Sequence, residues 1–297
     1  MGIAFIFLAC STWAIDTLIR YPLLGSTSPL QIVFGEHLIL SLVFVPFFFK
    51  SFKKIWKAEV SHIFSFIVIG GLGSAIGTLA FTAAFSKINP SLVILLQKLQ
   101  PLIAVSLARL ILKEPLQKKF LLWASLCLVG GVLISFQDIF PGLMKLDFSS
   151  NMSSNTALWG YALTMIAVVS WGASTVFGKS LETNGYSEFE VMGGRFWVGL
   201  IVLTPFLVSS GESLPDSGET WLKILALVAI SGLLGMWFYY RGLKKLPARL
   251  CALAEMFFPF CAVGVNWIFL GKTLDITQLV GGALLLIGST VIQIKRY

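Results

Sequence analysis

Charge is scarce in this chain. Only 12% of its 297 residues are Asp, Glu, Lys or Arg, against about a quarter in an ordinary soluble domain. Meanwhile 57% are hydrophobic and the mean hydropathy is +0.87. That deficit excludes a large water-facing domain. Histidine is scarcer still. His37 and His62 are the only two, each near the end of an apolar run, so neither a histidine metal site nor histidine acid–base chemistry is expected. The four cysteines (Cys10, Cys127, Cys251, Cys261) all lie inside apolar runs without metal-ligand spacing. They read as packing residues. A Walker motif is absent, so this chain does not bring its own ATP-driven step. The acids are scattered, with no nucleophile–base set and no paired carboxylates. An enzyme is therefore not expected, and neither a cofactor nor a metal.

What is present is length in the apolar runs. A membrane-crossing helix needs about 20 apolar residues. Ten such runs are predicted, at 2–21, 30–49, 62–85, 90–112, 118–136, 158–178, 190–209, 221–242, 248–270 and 275–294. The first lacks the basic start of a cleaved leader, is interrupted by Asp16 and Arg20, and has a counterpart at Trp159 to Gly178. It reads as a retained span. Connections are short except for a polar Ser- and Asn-rich stretch, 138–157, which reads as an external linker. Its Asn151-Met152-Ser153 fits a glycosylation sequon, a pattern too short to carry weight.

The net charge of +8 sits in short loops, which argues for membrane topology rather than nucleic acid. One set of alternate loops holds Lys50, Lys53, Lys54 and Lys57, then Lys113, Lys118 and Lys119, then Lys179, then Arg241, Lys244, Lys245 and Arg249, then Lys295 and Arg296. The other set holds Arg20, Lys87, Lys145 and Lys272 with the acidic run Glu212, Asp216 and Glu219. The positive-inside rule puts the first set in the cytoplasm. Both termini are then cytoplasmic, as ten spans require, and the expected location is an inner or plasma membrane.

The second half repeats the first. A shift of 158 places Trp13 on Trp171, Gly77 on Gly235, Lys87 on Lys245, Pro101 on Pro259 and Gly130 on Gly288. One extra residue before the seventh run then brings Gly35 to Gly194 and Pro46 to Pro205. Apolar matches are cheap between any two membrane helices; the ordered Trp, Gly and Pro matches carry the signal. The basic 50–60 loop has an acidic counterpart at 210–220, and the lightly charged 86–89 loop has a basic one at 241–249. Sequence repeats while charge flips, as expected of two halves inserted in opposite senses. The expected fold is an all-α membrane protein of ten helices in two inverted five-helix repeats, 1–137 and 158–297.

These landmarks resemble the EamA domain of the drug/metabolite transporter superfamily. They are Lys87-Ile88-Asn89-Pro90, Gln100-Pro101, Lys113-Glu114-Pro115 and Gly130-Gly131 in the first half. The second half has Lys245-Leu246-Pro247-Ala248, Phe258-Pro259, Gly271-Lys272-Thr273 and Gly281-Gly282 with Gly288. Lys272 departs from the pattern, standing where the first half has Glu114. The resemblance implies a permease for small metabolites such as amino acids, amines or nucleotide-like compounds, with amino-acid export its commonest outcome.

Ionisable groups at bilayer depth are costly and mark candidate sites. At about 1.5 Å per residue, Lys98 lies roughly 12 Å into the fourth run and Glu255 about 10 Å into the ninth. The repeat sets Gln97 opposite Glu255 and Lys98 opposite Met256, beside the matched prolines. A cavity lined by Lys98, Glu255, Gln97 and Gln100 is predicted, with Trp13, Trp171 and Tyr239 as aromatic walls; helix packing is the alternative reading of Trp13 and Trp171. Two charge signs suit a zwitterion. A Lys98–Glu255 ion pair that only fastens the halves is the alternative reading. Asp16, Glu36 and Glu255 are candidates for proton coupling, which uncoupled diffusion would not need. Asp16 and Arg20, four apart, also read as a local helix pair. The expected partners are a small-molecule substrate, the lipid bilayer and a proton, with a homodimer left open and nucleic acid excluded. An uptake carrier or exchanger for a cationic or nucleotide-like metabolite is the alternative to export.

Overall fold

A computed structural model describes residues 2–55, 60–111, 119–144, 152–243, 245, 254–255 and 257–295. Among them the chain is helical, with no strand. Hydrocarbon offers backbone groups no partner, and a helix satisfies them within its own segment. The helices are α1 (Gly2–Leu23), α2 (Pro29–Val43), α3 (Val45–Ile55) and α4 (Val60–Phe85). Next comes α5, which runs over Pro90–Leu96, tightens into a 3₁₀ turn at Gln97–Leu99 and resumes over Gln100–Ile111. Then follow α6 (Phe120–Met144), α7 (Met152–Thr183) and α8 (Glu188–Ser210). The composite α9 covers Gly218–Leu227, Val228–Leu234 and Gly235–Leu243, before α10 (Phe257–Leu270) and α11 (Ile276–Lys295).

Eight of these helices are long and apolar enough to cross a membrane, namely α1, α4 to α9 and α11. Two predicted spans are shorter, α2 and α10. Most of residues 248–256, the start of the ninth predicted span, lies outside the described residues. The second predicted span breaks at Phe44, where the backbone leaves helical geometry at φ −95°, ψ 10°. Pro46 follows, and a proline cannot donate the next helical hydrogen bond. The stretch expected to be a linker is helical at both ends, since α6 runs to Met144 and α7 begins at Met152.

The repeat is visible in local detail. α2 starts at a capping box in which Ser28 accepts from the Gln31 backbone and Gln31 answers, with Pro29 in the first turn. α8 starts the same way at Ser187 and Glu190. The two sites are 159 apart. Each is clamped by the other half. Gln31 Nε2 donates to the Ser213 carbonyl at 2.7 Å, and Lys54 pairs with Glu190 at 2.9 Å.

A second shared feature was not expected. α4 winds as a π-helix over Ile67–Ile76, and α9 does so over Val228–Leu234. A shift of 158 puts both at the same place in their repeats. Such winding changes the helix register and leaves backbone groups off the usual ladder.

The first helix of each half packs mainly in the other half. α1 lies against α9 and α10, while α7 lies against α4 and α5. The last helices of the halves, α6 and α11, cross in close contact. A Cβ on Gly130 would lie 2.6 Å from the Gly281 carbonyl, and one on Gly281 would lie 2.7 Å from the Gly130 carbonyl. Only glycine permits that approach.

Candidate functional site

The exchange of α1 and α7 brings repeat-mates to one place. Between the halves lies a cavity of about 410 Å³. Its lining includes Trp13 with its mate Trp171, and Gln97 with its mate Glu255. Lys98, Gln100, Pro101, Asp16, Arg20, Ser231 and Phe258 complete most of the wall. When mates line one cavity, the pseudo-twofold axis of the repeat passes through it.

The tryptophans are seated by the glycines that the repeat matches. A Cβ on Gly235 would lie 2.7 Å from Trp13 Nε1, and one on Gly77 would lie 3.0 Å from Trp171 Nε1. Trp13 Nε1 donates to the Ser231 carbonyl at 3.1 Å, inside the π-wound segment of α9. Trp13 also meets Tyr239 and Phe258, with ring centroids 5.6 and 6.3 Å away. Trp171 packs on Phe81 at 4.9 Å, and Phe81 on Phe85 at 4.7 Å. Aromatic walls thus rise on both sides of a polar middle.

In that middle, the 3₁₀ turn at Gln97–Leu99 breaks α5 just before Pro101. Gln97 Oε1 is buried without a hydrogen-bond partner. Gln100 Nε2 donates to Thr175 Oγ1 at 3.2 Å. Tyr239 donates its hydroxyl to Glu255 Oε1 at 2.9 Å. Lys98 Nζ stands over the Phe258 ring, 5.3 Å from its centre. Among the described residues, Lys98 and Glu255 line the same cavity without a salt-bridge contact, so the fastening pair is not formed.

Two of the lining residues, Asp16 and Arg20, belong to a buried ionic cluster. The Arg20 guanidinium takes Asp16 in two bonds of 2.7 and 3.0 Å and Glu36 in two bonds of 2.8 and 2.7 Å. A fifth bond of 3.2 Å reaches Thr82. Asp16 also accepts from Ser231 Oγ at 2.7 Å. The cluster therefore ties α1, α2, α4 and α9 together. The local Asp16–Arg20 pair is present, and the tertiary partner Glu36 extends it. Glu36 does not line the cavity; Asp16 does. The repeat-mates of Asp16, Arg20 and Glu36 are Ser174, Gly178 and Arg195, so the second half carries no equivalent.

Several lining groups escaped the sequence reading, among them Phe258, Ser231, Phe81 and Gln293. Phe258 is the mate of Gln100, and Ser231 is the mate of Gly73. Extending each candidate to its repeat-mate would have found Phe258. His37 is buried, with Nδ1 2.8 Å from the Val33 carbonyl and Nε2 2.9 Å from Ser74 Oγ. It serves packing between α2 and α4.

The profile of the EamA-like transporter family matches residues 1–136 and again 158–294. The chain belongs to that family. It is thus a multi-pass membrane transporter. The riboflavin transporter ImpX of Fusobacterium nucleatum subsp. nucleatum is 29% identical over 301 residues, covering 99% of this chain and 97% of that protein. A probable amino-acid metabolite efflux pump of Salmonella typhimurium is 25% identical over 230 residues, covering 73% of each. One solved crystal structure matches 99% of this chain and 96% of its own, with a TM-score of 0.61 at 15% identity. That likeness shows a shared fold.

Proposed function

We propose that this transporter carries a small metabolite with a flat, nitrogen-bearing ring through the central cavity by alternating access. The observation that carries the reading is that repeat-mate tryptophans and Gln97, whose Oε1 is buried without a hydrogen-bond partner, line one cavity. Flat rings stack on indole faces. A buried acceptor without a donor is costly until a ligand N–H meets it. A cavity of about 410 Å³ lies within the usual range for small-molecule sites, about 300–1,000 Å³. The whole-length relative named for riboflavin supports a ring of that kind.

In this reading Trp13 and Trp171 hold the ring, and Gln97, Gln100, Lys98 and Glu255 read its edge and substituents; Tyr239, expected as a third aromatic wall, is not in the lining and instead backs Trp13 and Glu255. The halves rock about the axis through the site. Both termini face the cytoplasm of an inner or plasma membrane, following the basic loops. If flux is coupled to protons, Glu255 is the carrier, because Asp16 and Glu36 are committed to Arg20.

The second reading is export of an amino acid or similar zwitterion, with Lys98 on the carboxylate and Glu255 on the ammonium. The Salmonella relative favours it. The Tyr239–Glu255 bond weighs against it, because it already occupies one oxygen of the carboxylate.

A thermal-shift panel on the purified protein separates the two, since a bound ligand raises apparent stability. Riboflavin and indole compounds should raise the midpoint and drive counterflow in proteoliposomes. A response to aliphatic amino acids alone would overturn the first reading in favour of the second.

A further inference from the structure

The charges around the cavity are not equally satisfied. Arg20 is held by Asp16 and Glu36, and Asp16 is held again by Ser231. Glu255 takes the Tyr239 hydroxyl. Lys98 differs. Among the described residues its ammonium has no acceptor oxygen within hydrogen-bond reach; it stands over the Phe258 ring at 5.3 Å, and the Glu255 carboxylate acts on it only through space. An ammonium carries three donors and no acceptor. A cation over a ring gains about 0.5–2 kcal/mol, far less than an oxygen partner supplies to a desolvated charge.

The placement is local and specific. Lys98 is the middle residue of the 3₁₀ turn that interrupts α5, three residues before Pro101. Its repeat-mate is Met256. The other half thus fills the same position of the repeat with an apolar side chain, so a lysine there is not a demand of the fold.

We infer that Lys98 is the specificity-determining residue of the cavity and takes an anionic group on the cargo, a carboxylate or a phosphate. The inference rests on the flat-ring reading above and narrows it to flat nitrogen heterocycles bearing one acidic group. The ring lies among the tryptophans, an N–H meets Gln97 Oε1, and the anion displaces the Phe258 ring as the partner of Lys98. A neutral ring leaves the ammonium as it stands now. A zwitterion leaves its ammonium competing with Tyr239 for Glu255.

Two matched pairs of ligands test this by calorimetry on the purified full chain. One pair is riboflavin and riboflavin 5′-phosphate. The other is indole-3-acetamide and indole-3-acetate, so that phosphate and carboxylate are read separately. At least one anionic member should bind roughly tenfold or more tighter than its neutral twin, the size of one charge-assisted bond. Lys98→Met should abolish that preference, weakening the anionic member far more than its neutral twin, and Lys98→Arg should retain it. Equal affinities in the wild type, or a preference that survives Lys98→Met, would overturn the anion site while leaving the flat-ring carrier standing. Failure of all four compounds to bind would overturn both.

Discussion

Removing the guanidinium of Arg20 should destabilise this protein more than any single change on its lipid-facing surface. Arg20 is 6% exposed and makes five hydrogen bonds, four of them to the carboxylates of Asp16 and Glu36. Arg20→Met removes all five and leaves two buried carboxylates facing each other. Breaking a buried ion pair by deleting one partner costs about 3–5 kcal/mol. Here one arginine serves two acids, so the upper end of that range applies. Total stabilities are about 5–15 kcal/mol, so a third or more should go. The same physics predicts recovery when the orphaned charges are removed as well. The triple change Arg20→Met, Asp16→Asn, Glu36→Gln should regain at least about half of the loss, because replacing a whole buried triad is often neutral. Reversible unfolding in mixed micelles, followed by helical circular dichroism, measures both. A single-variant loss below about 1 kcal/mol, or a triple variant no more stable than the single one, would refute the reasoning that buried charge imbalance dominates here.

Other expectations follow from the repeat. Gly235→Val and Gly77→Val should each weaken ligand binding about tenfold with helicity unchanged, since a Cβ at these positions would press on Trp13 and Trp171 at 2.7 and 3.0 Å. Calorimetry with riboflavin checks this, and wild-type affinity in both would contradict it. Asn89 Nδ2 donates to the Thr273 carbonyl at 2.9 Å and so joins the two halves at one end. A short cross-link between Asn89→Cys and Thr273→Cys should stop proteoliposome transport until it is reduced, whereas full transport in the cross-linked protein would contradict rocking at that end. Reporter fusions at residues 55 and 115 should report cytoplasm, and one at 147 the outside; the opposite pattern would overturn the proposed orientation.

Much of the fold was legible because the chain says it twice. Trp13, Trp171 and Pro101, read from the repeat, line the cavity, whereas Pro259 does not, and Gln97 against Glu255 marks where the halves differ. Short-range physics also reads well from sequence. Ser28 to Gln31 and Ser187 to Glu190 have capping-box spacing, a signal the sequence reading left unused. What was not legible came from tertiary packing. The i, i+4 rule finds Asp16 for Arg20 but cannot reach Glu36, sixteen residues on, which only the packing of α1 on α2 supplies. The π-winding of Ile67–Ile76 and Val228–Leu234 was not read from the sequence; it falls where α4 and α9 pack on the tryptophan helices. The break at Phe44 could have been read from Pro46, but a proline is also tolerated inside membrane helices, as Pro205 is within α8. Glu114, Lys113 and Met256, which the sequence reading weighed, lie outside the described residues.

The central claim is that the cavity on the repeat axis is where cargo binds. Counterflow in proteoliposomes compares cavity and surface directly in one assay. Trp13→Ala, Trp171→Ala and Gln97→Ala alter the cavity lining, while Trp267→Ala alters a side chain 63% exposed on α10. With insertion and helicity matched, the three cavity variants should lose about tenfold or more of the counterflow driven by the best ligand of the panel, and Trp267→Ala should keep it. Wild-type counterflow in all three cavity variants would place the binding site elsewhere.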